Sequence, residues 1–571
     1  MRDKSVIKPV KNDNNKEVTT RIVDFCRHVA GQSKITAIAK GDDYNQNNYS
    51  QHLILEVMVV IHDFQPRIMS YLKRIKNKTV FIFAVDQWVF ERDVDRGLLG
   101  EAIASKLVWP YEALIGETYL HKQESELKQR LIIELLENLV INFPELAHSI
   151  KIHPKYFLYE VFSNRVRVFP LLNYDLAKLT NCLIKDEKRA LKGYNIALKQ
   201  LEKQQLITQE NGYIHINKRF IDRCHVPKLR LLNLAKNAPR TLFTSLFGVV
   251  PQLMSIVTQN AEAFLRTQKL NWLRQQDQDF PSIDPQNYVF FPTTEGLVSL
   301  SDKIDIKGFA QKLLLKDQNA VVEVERIGGV LNDVYLIDTG HRKVLAKRFK
   351  DWSGFKWFPL TLWSFGARSF AVSGQARLAK ESAISKVLHG EGFNVPRILH
   401  VSNPERIVFM EYIEGESLGK IIKDYSDADN AEVKEYVLTI IRDVGNSLAK
   451  VHQQNIVLGD TKPDNVLVKA DGTVYLIDFE QAQRGGDRAW DIAVFLYYSG
   501  HYLQPFDSPN KAEDITNAFI DGYLTAGGNI DEVQKAGSTK YTRVFSIFTL
   551  PRFMLAISNI CKKVKDRNWN S

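Results

Sequence analysis

Gly459-Asp460-Thr461-Lys462-Pro463-Asp464-Asn465-Val466-Leu467-Val468, followed by Leu476-Ile477-Asp478-Phe479-Glu480, decides how the C-terminal half is read. Phosphoryl transfer from a nucleotide asks little covalent work of a protein. One carboxylate orients the attacking hydroxyl, a lysine neutralises the migrating group, and an amide and a second carboxylate hold magnesium. Asp460 and Lys462 fit the first two roles, and Asn465 with Asp478 the metal pair. The apolar runs NVLVKA and VYLIDF read as two short strands joined through Asp471-Gly472, a hairpin that sets Asn465 beside Asp478. A solvated turn could carry such acids too, so the reading rests on what lies upstream.

Five further features stand in order around this stretch. Lys347 ends the Val-Leu-Ala run of KVLAKRFK. The helix-patterned ARLAKESAISKVL offers Glu381, and GFNVPRIL reads as the entry to the next strand. RIVFMEYIEGESL follows, and Asp491 sits in AWDIAVFLYY. Together these resemble the protein-kinase-like superfamily from about Val321 onward. The resemblance implies that Lys347 is the third-strand lysine with Glu381 as its ion-pair partner. It implies that Met410 is the gatekeeper, that the backbone of Glu411 and Ile413 bonds adenine, and that Asp491 braces the catalytic loop. Gly-Asp in place of His-Arg-Asp resembles the small atypical kinases: the RIO group, the kinase of the KEOPS tRNA-threonylcarbamoylation complex, and the aminoglycoside phosphotransferases.

Three features depart from the common pattern. The nucleotide loop IGGVLNDVYLI has Gly328 and Gly329 but no G-x-G-x-x-G, so fewer backbone amides face the phosphates. The metal motif is Asp-Phe-Glu, with Glu480 where a glycine hinge usually sits, which disfavours a flip of that segment. No Ala-Pro-Glu follows, so a protein-substrate platform is not visible. An aromatic insertion, residues 350–376, is expected to pack on the rest of the chain; partner or membrane-surface contact is the alternative.

The 571 residues suffice for three or four domains, and a 44% hydrophobic share is that of a soluble globular chain. Cys26, Cys182, Cys224 and Cys561 have neither disulfide nor metal spacing, which argues for a reducing, cytoplasmic setting. The first twenty residues lack the apolar core of a signal peptide. The apolar stretch LFTSLFGVVPQLMSIV is short, carries polar residues and contains Pro251, so it reads as a buried or interfacial helix in preference to a membrane span.

The net charge of +10 is concentrated: residues 185–240 hold thirteen Lys or Arg against five Asp or Glu. Within that window, ALKGYNIALKQLEKQQLI and GYIHINKRFI read as a helix and a β wing, resembling a winged helix-turn-helix. That resemblance implies that Lys192, Lys199, Lys203, Lys218 and Arg219 could meet nucleic-acid phosphates. Further upstream the order is helix (TTRIVDFCRHVA), strand (KITAIAK), loop, strand (HLILEVMVVI), helix (PRIMSYLKRI), strand (KTVFIFAV) and a long helical region to Phe143. It resembles a nucleotidyltransferase of the polymerase-β type, whose strand-borne Asp-x-Asp binds two metals. Here the matching positions are Ile54 and Glu56, after a Gly41-Asp42 loop. Only one carboxylate survives, with Asp86 as a candidate third acid and Asp42 or Asp43 as substitutes, so the domain reads as degenerate. Arg274 to Gly296 is polar and reads as linker.

The expected fold is therefore multidomain α/β and α+β: residues 1–20 disordered, 21–180 nucleotidyltransferase-like with a helical extension, 181–240 winged-helix-like, 241–310 helix and linker, 311–571 bilobal and protein-kinase-like. The expected activity is ATP- and Mg2+-dependent phosphorylation of a serine or threonine hydroxyl on a protein, with the N-terminal half recruiting a protein, DNA or RNA. The alternatives are a small-molecule phosphotransferase of the aminoglycoside or sugar type, favoured by the missing platform, and a non-catalytic nucleotide-binding scaffold.

Overall fold

The computed structural model describes residues 13–41, 54–65, 67–76, 78–98, 103–168, 173–224, 284–316, 322–328, 332–351, 373–427, 430–546 and 549–566. Asp42, Asp43, Gly329, the apolar stretch 242–257 and most of the aromatic insertion lie outside these residues. So does the side chain of Cys182.

The chain forms two compact units, residues 1–142 with 152–288, and residues 143–151 with 289–571. In the first, helix α1 (Asp13–Ala30) presents Val18, Ile22, Cys26 and Ala30 as one buried stripe with a spacing of four. That stripe makes residues 13–20 helical where the sequence suggested disorder. It packs on a five-stranded sheet of β1 (Ile35–Gly41), β2 (Ile54–Ile61), β3 (Ile68–Ile75), β4 (Lys78–Asp86) and β5 (Tyr111–Ile115), in the order β3-β4-β2-β1-β5. Only β2 and β4 run parallel.

Two segments differ from the sequence reading. PRIMSYLKRI contributes a strand, not a helix: β3 pairs along its whole length with β4, and Lys76, with φ 54°, sits in a two-residue connection. Cross-strand pairing outweighs a helical pattern that ten residues carry only weakly. The region read as helical up to Phe143 contains α2 (Gln87–Arg96), then β5, then α3 (Glu117–Asn142).

Helix α4 (Lys155–Val168) is followed by α5 (Asn173–Lys203), which runs unbroken through the domain boundary expected at residue 181. A hairpin of β6 (Ile207–Glu210) and β7 (Tyr213–Ile216) follows, turning at Asn211-Gly212 with both residues at positive φ. Helix α6 (Lys218–Cys224) comes next.

In the second unit the expected linker is partly strand. Val289 and Phe291 are buried in β8 (Val289–Thr293), which forms a hairpin with β9 (Gly296–Ser299), because V-F-F supplies apolar and aromatic side chains that polar neighbours disguise in the sequence. Helix α7 (Ile306–Lys316) sets Phe309, Ala310 and Leu313 against a five-stranded antiparallel sheet, Phe309 stacking on Phe409 at 4.0 Å between ring centroids. That sheet contains β10 (Glu323–Gly328), β11 (Asn332–Asp338), β12 (Lys343–Phe349), β13 (Ile398–Ser402) and β14 (Ile407–Glu411), in the order β10-β11-β12-β14-β13. Helix α8 (Gly374–Gly390) lies between β12 and β13 in the chain, as the pattern ARLAKESAISKVL predicts.

The helical remainder is built on α9 (Leu418–Asp427), α10 (Ala431–Gln453), α11 (Arg488–Tyr502), α12 (Pro509–Thr525) and α13 (Pro551–Lys562) around one large apolar core. Helices α10 and α12 meet at Gly445 and Gly522, where a Cβ would run into the opposing backbone. Cys26, Cys224 and Cys561 are free and buried. No described helix is long and apolar enough to cross a membrane.

Candidate active site

Strand β12 alternates its side chains, and Lys347 is buried with 7% of its surface exposed. Helix α8 offers Arg377 and Glu381, one turn apart and both buried. The hairpin expected around Asp471-Gly472 forms between β15 (Val466–Val468) and β16 (Val474–Leu476), and the Ile477 amide donates to the Asn465 carbonyl just beyond it. The chain thereby brings Asn465 and Asp478 to one end, where they line a single cavity with Asp460 and Thr461.

At the centre, the Lys347 ammonium lies 3.2 Å from Glu381, 2.6 Å from Asp478 and 3.2 Å from Glu480. Burial by itself disfavours its charge. The three carboxylates outweigh that cost and hold the amine well above the usual lysine range. Burial also acts on the Asp478 carboxyl, but Lys347 overrides it and keeps the group below the usual range. Lys347 and Arg377 supply two positive charges against three negative ones, so the cluster is suited to one more cation.

Lys462 donates to Asp460 Oδ2 at 3.0 Å, and Asn465 Nδ2 donates to the Asp460 carbonyl and carboxylate at 2.7 and 3.1 Å. Asn465 is thus oriented with its amide nitrogen engaged, leaving its oxygen as the metal-ligand candidate. Burial raises the Asp460 carboxyl above the aspartate range against the pull of Lys462, a direction that favours proton acceptance. Asp478 has φ 66°, a left-handed backbone that aspartate tolerates better than most residues.

Asp491 is fully buried and accepts hydrogen bonds from the Leu458 and Gly459 amides at 2.6 and 2.7 Å and from His452 Nε2 at 3.2 Å. His452 Nδ1 lies 2.8 Å from the Tyr523 hydroxyl, which suits a ring protonated at Nε2. Thr461 Oγ1 donates to the Asp491 carbonyl and Trp490 Nε1 to the Gly459 carbonyl. The turn before Asp460 is therefore held from one helix.

Met410 is buried at the end of β14. The Glu411 amide donates to the Arg397 carbonyl at 2.9 Å, so its N–H is engaged within the protein. Ile413 lies in the irregular segment that follows. Gly328 ends β10.

Sequence reasoning missed Arg377, Asn332, His452 and Trp490. Arg377 alone left a signal, four residues ahead of Glu381 on the same helix.

Of the N-terminal acids, the two that are described, Glu56 and Asp86, do not converge. Glu56 is exposed and pairs with Lys106. Asp86 is buried, capping α2 by accepting from the Trp88 and Val89 amides and also from Phe64. Glu56 lies opposite Phe81 and Asp86 opposite Ile61, five residues apart along a parallel ladder. That is about 16 Å, too far to share an ion. Lys192, Lys199, Lys203, Lys218 and Arg219 are all exposed and form no ion pair among the described residues. The first three lie seven and four residues apart on α5, which puts them on one stripe.

Residues 370–499 match the protein kinase domain. The "KEOPS complex subunit Bud32" of Pyrococcus abyssi is 34% identical over 107 residues, 19% of this chain and 45% of that protein. The "Probable serine/threonine-protein kinase BUD32 homolog" of Archaeoglobus fulgidus is 28% identical over 161 residues, 28% of this chain and 72% of that protein. Among solved structures, the Rio2 kinase–ADP/Mg2+–phosphoaspartate complex from Chaetomium thermophilum is similar at 15% identity and a TM-score of 0.25, over 45% of this chain and 76% of that one. The chain spans less than half the length of the first of these relatives. Its C-terminal half carries a protein kinase domain with Bud32-type relatives.

Proposed function

We propose that the chain is an ATP- and Mg2+-dependent kinase that phosphorylates a serine or threonine hydroxyl of a protein. The observation that carries this is the convergence of Lys347 on Glu381 and Asp478, with Asp460, Lys462 and Asn465 gathered at the same hairpin end. In the reaction the acceptor oxygen attacks the γ-phosphorus. The bond to the β–γ bridging oxygen breaks and ADP leaves with that electron pair. Asp460, raised by burial, orients the hydroxyl and takes its proton, while Lys462 offsets charge on the migrating group. Asn465 and Asp478 would hold magnesium, which neutralises the phosphate oxygens when bound. Lys347 positions the nucleotide phosphates, and Met410 borders the adenine region.

The front half is proposed as a recruitment module: a nucleotidyltransferase-like scaffold with no metal cluster among its described residues, joined to a winged-helix-like element whose exposed lysine stripe meets nucleic-acid phosphates. Support comes from the separation of Glu56 from Asp86 and from the unpaired Lys192, Lys199 and Lys203. Reversing Lys199, Lys203 and Lys218 to glutamate should abolish RNA or DNA binding and flatten its salt dependence. Unchanged binding removes this part of the reading.

A small-molecule acceptor is the second reading. It is favoured by the shortness of the segment between Glu480 and α11, which leaves no peptide platform. The test is γ-labelled ATP with the purified chain and with lysate fractions of protein, RNA and metabolites. Label on protein that disappears in Asp460→Asn supports the first reading; label confined to metabolites supports the second. Bound ATP without turnover would refute both.

A further inference from the structure

The sequence replaces a glycine by Glu480 directly after the metal-binding turn, and the structure gives that side chain three buried partners. Asn332 Nδ2 donates to Glu480 Oε2 at 2.6 Å, Arg377 Nη1 donates to Oε1 at 3.2 Å, and Lys347 lies 3.2 Å from Oε2. Arg377 is wholly buried, donates to Asn332 Oδ1 at 2.8 Å and to the Lys350 carbonyl, and lies over the Phe349 ring. One carboxylate thus joins β11, β12 and α8. Next to it, the Phe479 amide donates to Glu381 Oε2 at 3.0 Å, a second tie between the same turn and the same helix.

The segment after Glu480 is also fastened. Gln483 pairs with Val457 and Arg484 with Ile456, and the Gly485 amide donates to the Asn455 carbonyl at 2.6 Å. Asp487 accepts from Lys540 at 2.8 Å and from the Tyr541 hydroxyl at 2.5 Å, and α11 begins at the next residue. A glycine at 480 would offer none of the three side-chain ties to Asn332, Arg377 and Lys347.

Resting on the kinase reading above, we propose that Glu480 is a positioning residue. Through Arg377 and Asn332 it holds Lys347, Glu381 and Asp478 in the arrangement that receives a metal-bound nucleotide, so the site is assembled without a switch segment. Asp478, the proposed magnesium ligand, also pairs with Lys347 at 2.6 Å, so a bound cation would draw on the same carboxylate; Glu480, 3.2 Å from Lys347, gives the ammonium a contact that does not depend on Asp478.

The test is steady-state phosphorylation by the full chain with MgATP, comparing Glu480→Gln, Arg377→Met and the double variant, with melting temperature and active-site titre measured for each. Glu480→Gln keeps the shape and should fold. The expected result is a KM for MgATP raised about tenfold and a reduced kcat, at a titre like that of the parent chain. The double variant should be no worse than the poorer single, because both residues act in one unit. A merely structural role would lower the titre and leave KM unchanged, and that outcome overturns the proposal, as do effects that multiply. If Arg377→Met does not fold, Asn332→Ala takes its place in the cycle. A parent chain without turnover would sink the kinase reading itself, whereas an active parent with an unaltered Glu480→Gln sinks only the role of Glu480.

Discussion

Asp491→Asn tests how the catalytic turn is held. The carboxylate is fully buried and accepts hydrogen bonds from the Leu458 and Gly459 amides and from His452. Bonds to a charged acceptor contribute about 1.5–3 kcal/mol each. An asparagine of the same shape keeps one acceptor oxygen and turns an NH2 group toward the donors, so at least one buried N–H loses its partner at a cost of about 1–3 kcal/mol. Weakening of the remaining bonds brings the total to about 3–5 kcal/mol. The loss falls on the two residues immediately before Asp460, so part of it should appear as misplacement of the proposed base. If about 2 kcal/mol does so, kcat falls about 30-fold. Denaturant unfolding followed by circular dichroism gives the stability term, and γ-labelled ATP turnover gives the catalytic one. Stability within about 0.5 kcal/mol of the parent, together with unaltered turnover, would refute the claim that Asp491 fixes this turn.

Three further outcomes are expected. Gly522→Val should destabilise the second unit by about 3 kcal/mol, because its side chain meets the Arg442 backbone, which cannot rotate aside; chemical denaturation reads it. Gly116→Ala should cost about 1–2 kcal/mol from φ 72° alone, and more because the new methyl meets the Thr36 carbonyl; limited proteolysis of the first unit should accelerate. His400 is buried beside Phe309 and Phe409, with Lys312 also repelling a proton and Asp302 and Glu295 attracting one, and burial depresses it to about 4. Its contribution is complete above the unfolded value of about 6.5 and is lost as pH falls toward 4, up to about 3 kcal/mol. His400→Phe should flatten the stability profile between those limits relative to the parent, and parallel profiles would contradict the assignment.

How much could be read from the sequence follows from how local each signal is. Asp460, Lys462, Asn465 and Asp478 lie within twenty residues of one another and share one hairpin, so spacing alone brings them together. Lys347 and Glu381 depend on two distant segments, and it was the order of the motifs, not their chemistry, that linked them. Asn332 was illegible and Arg377 showed only as a position one turn ahead of Glu381, because an arginine on a helix and an asparagine at a strand end are ordinary surface residues until tertiary contact buries them. PRIMSYLKRI was misread for the same reason: ten residues cannot display helical periodicity firmly enough to resist pairing with β4. The strand Val289–Thr293 was hidden by the polar residues around it, since a linker is recognised by composition and a strand by partners.

Glu480 joins these two kinds of information. In the sequence it is only the loss of a glycine, which removes conformational freedom from a segment that commonly needs it. In the structure the same change supplies a carboxylate reaching Lys347, Arg377 and Asn332, while the following residues are tied to Asn455 and Asp487 is tied to Lys540 and Tyr541. A turn fixed at both ends has few alternative arrangements for a modification to select, because an equilibrium can be shifted only between states that both exist. Control of such a site must therefore act on access of the acceptor or the nucleotide.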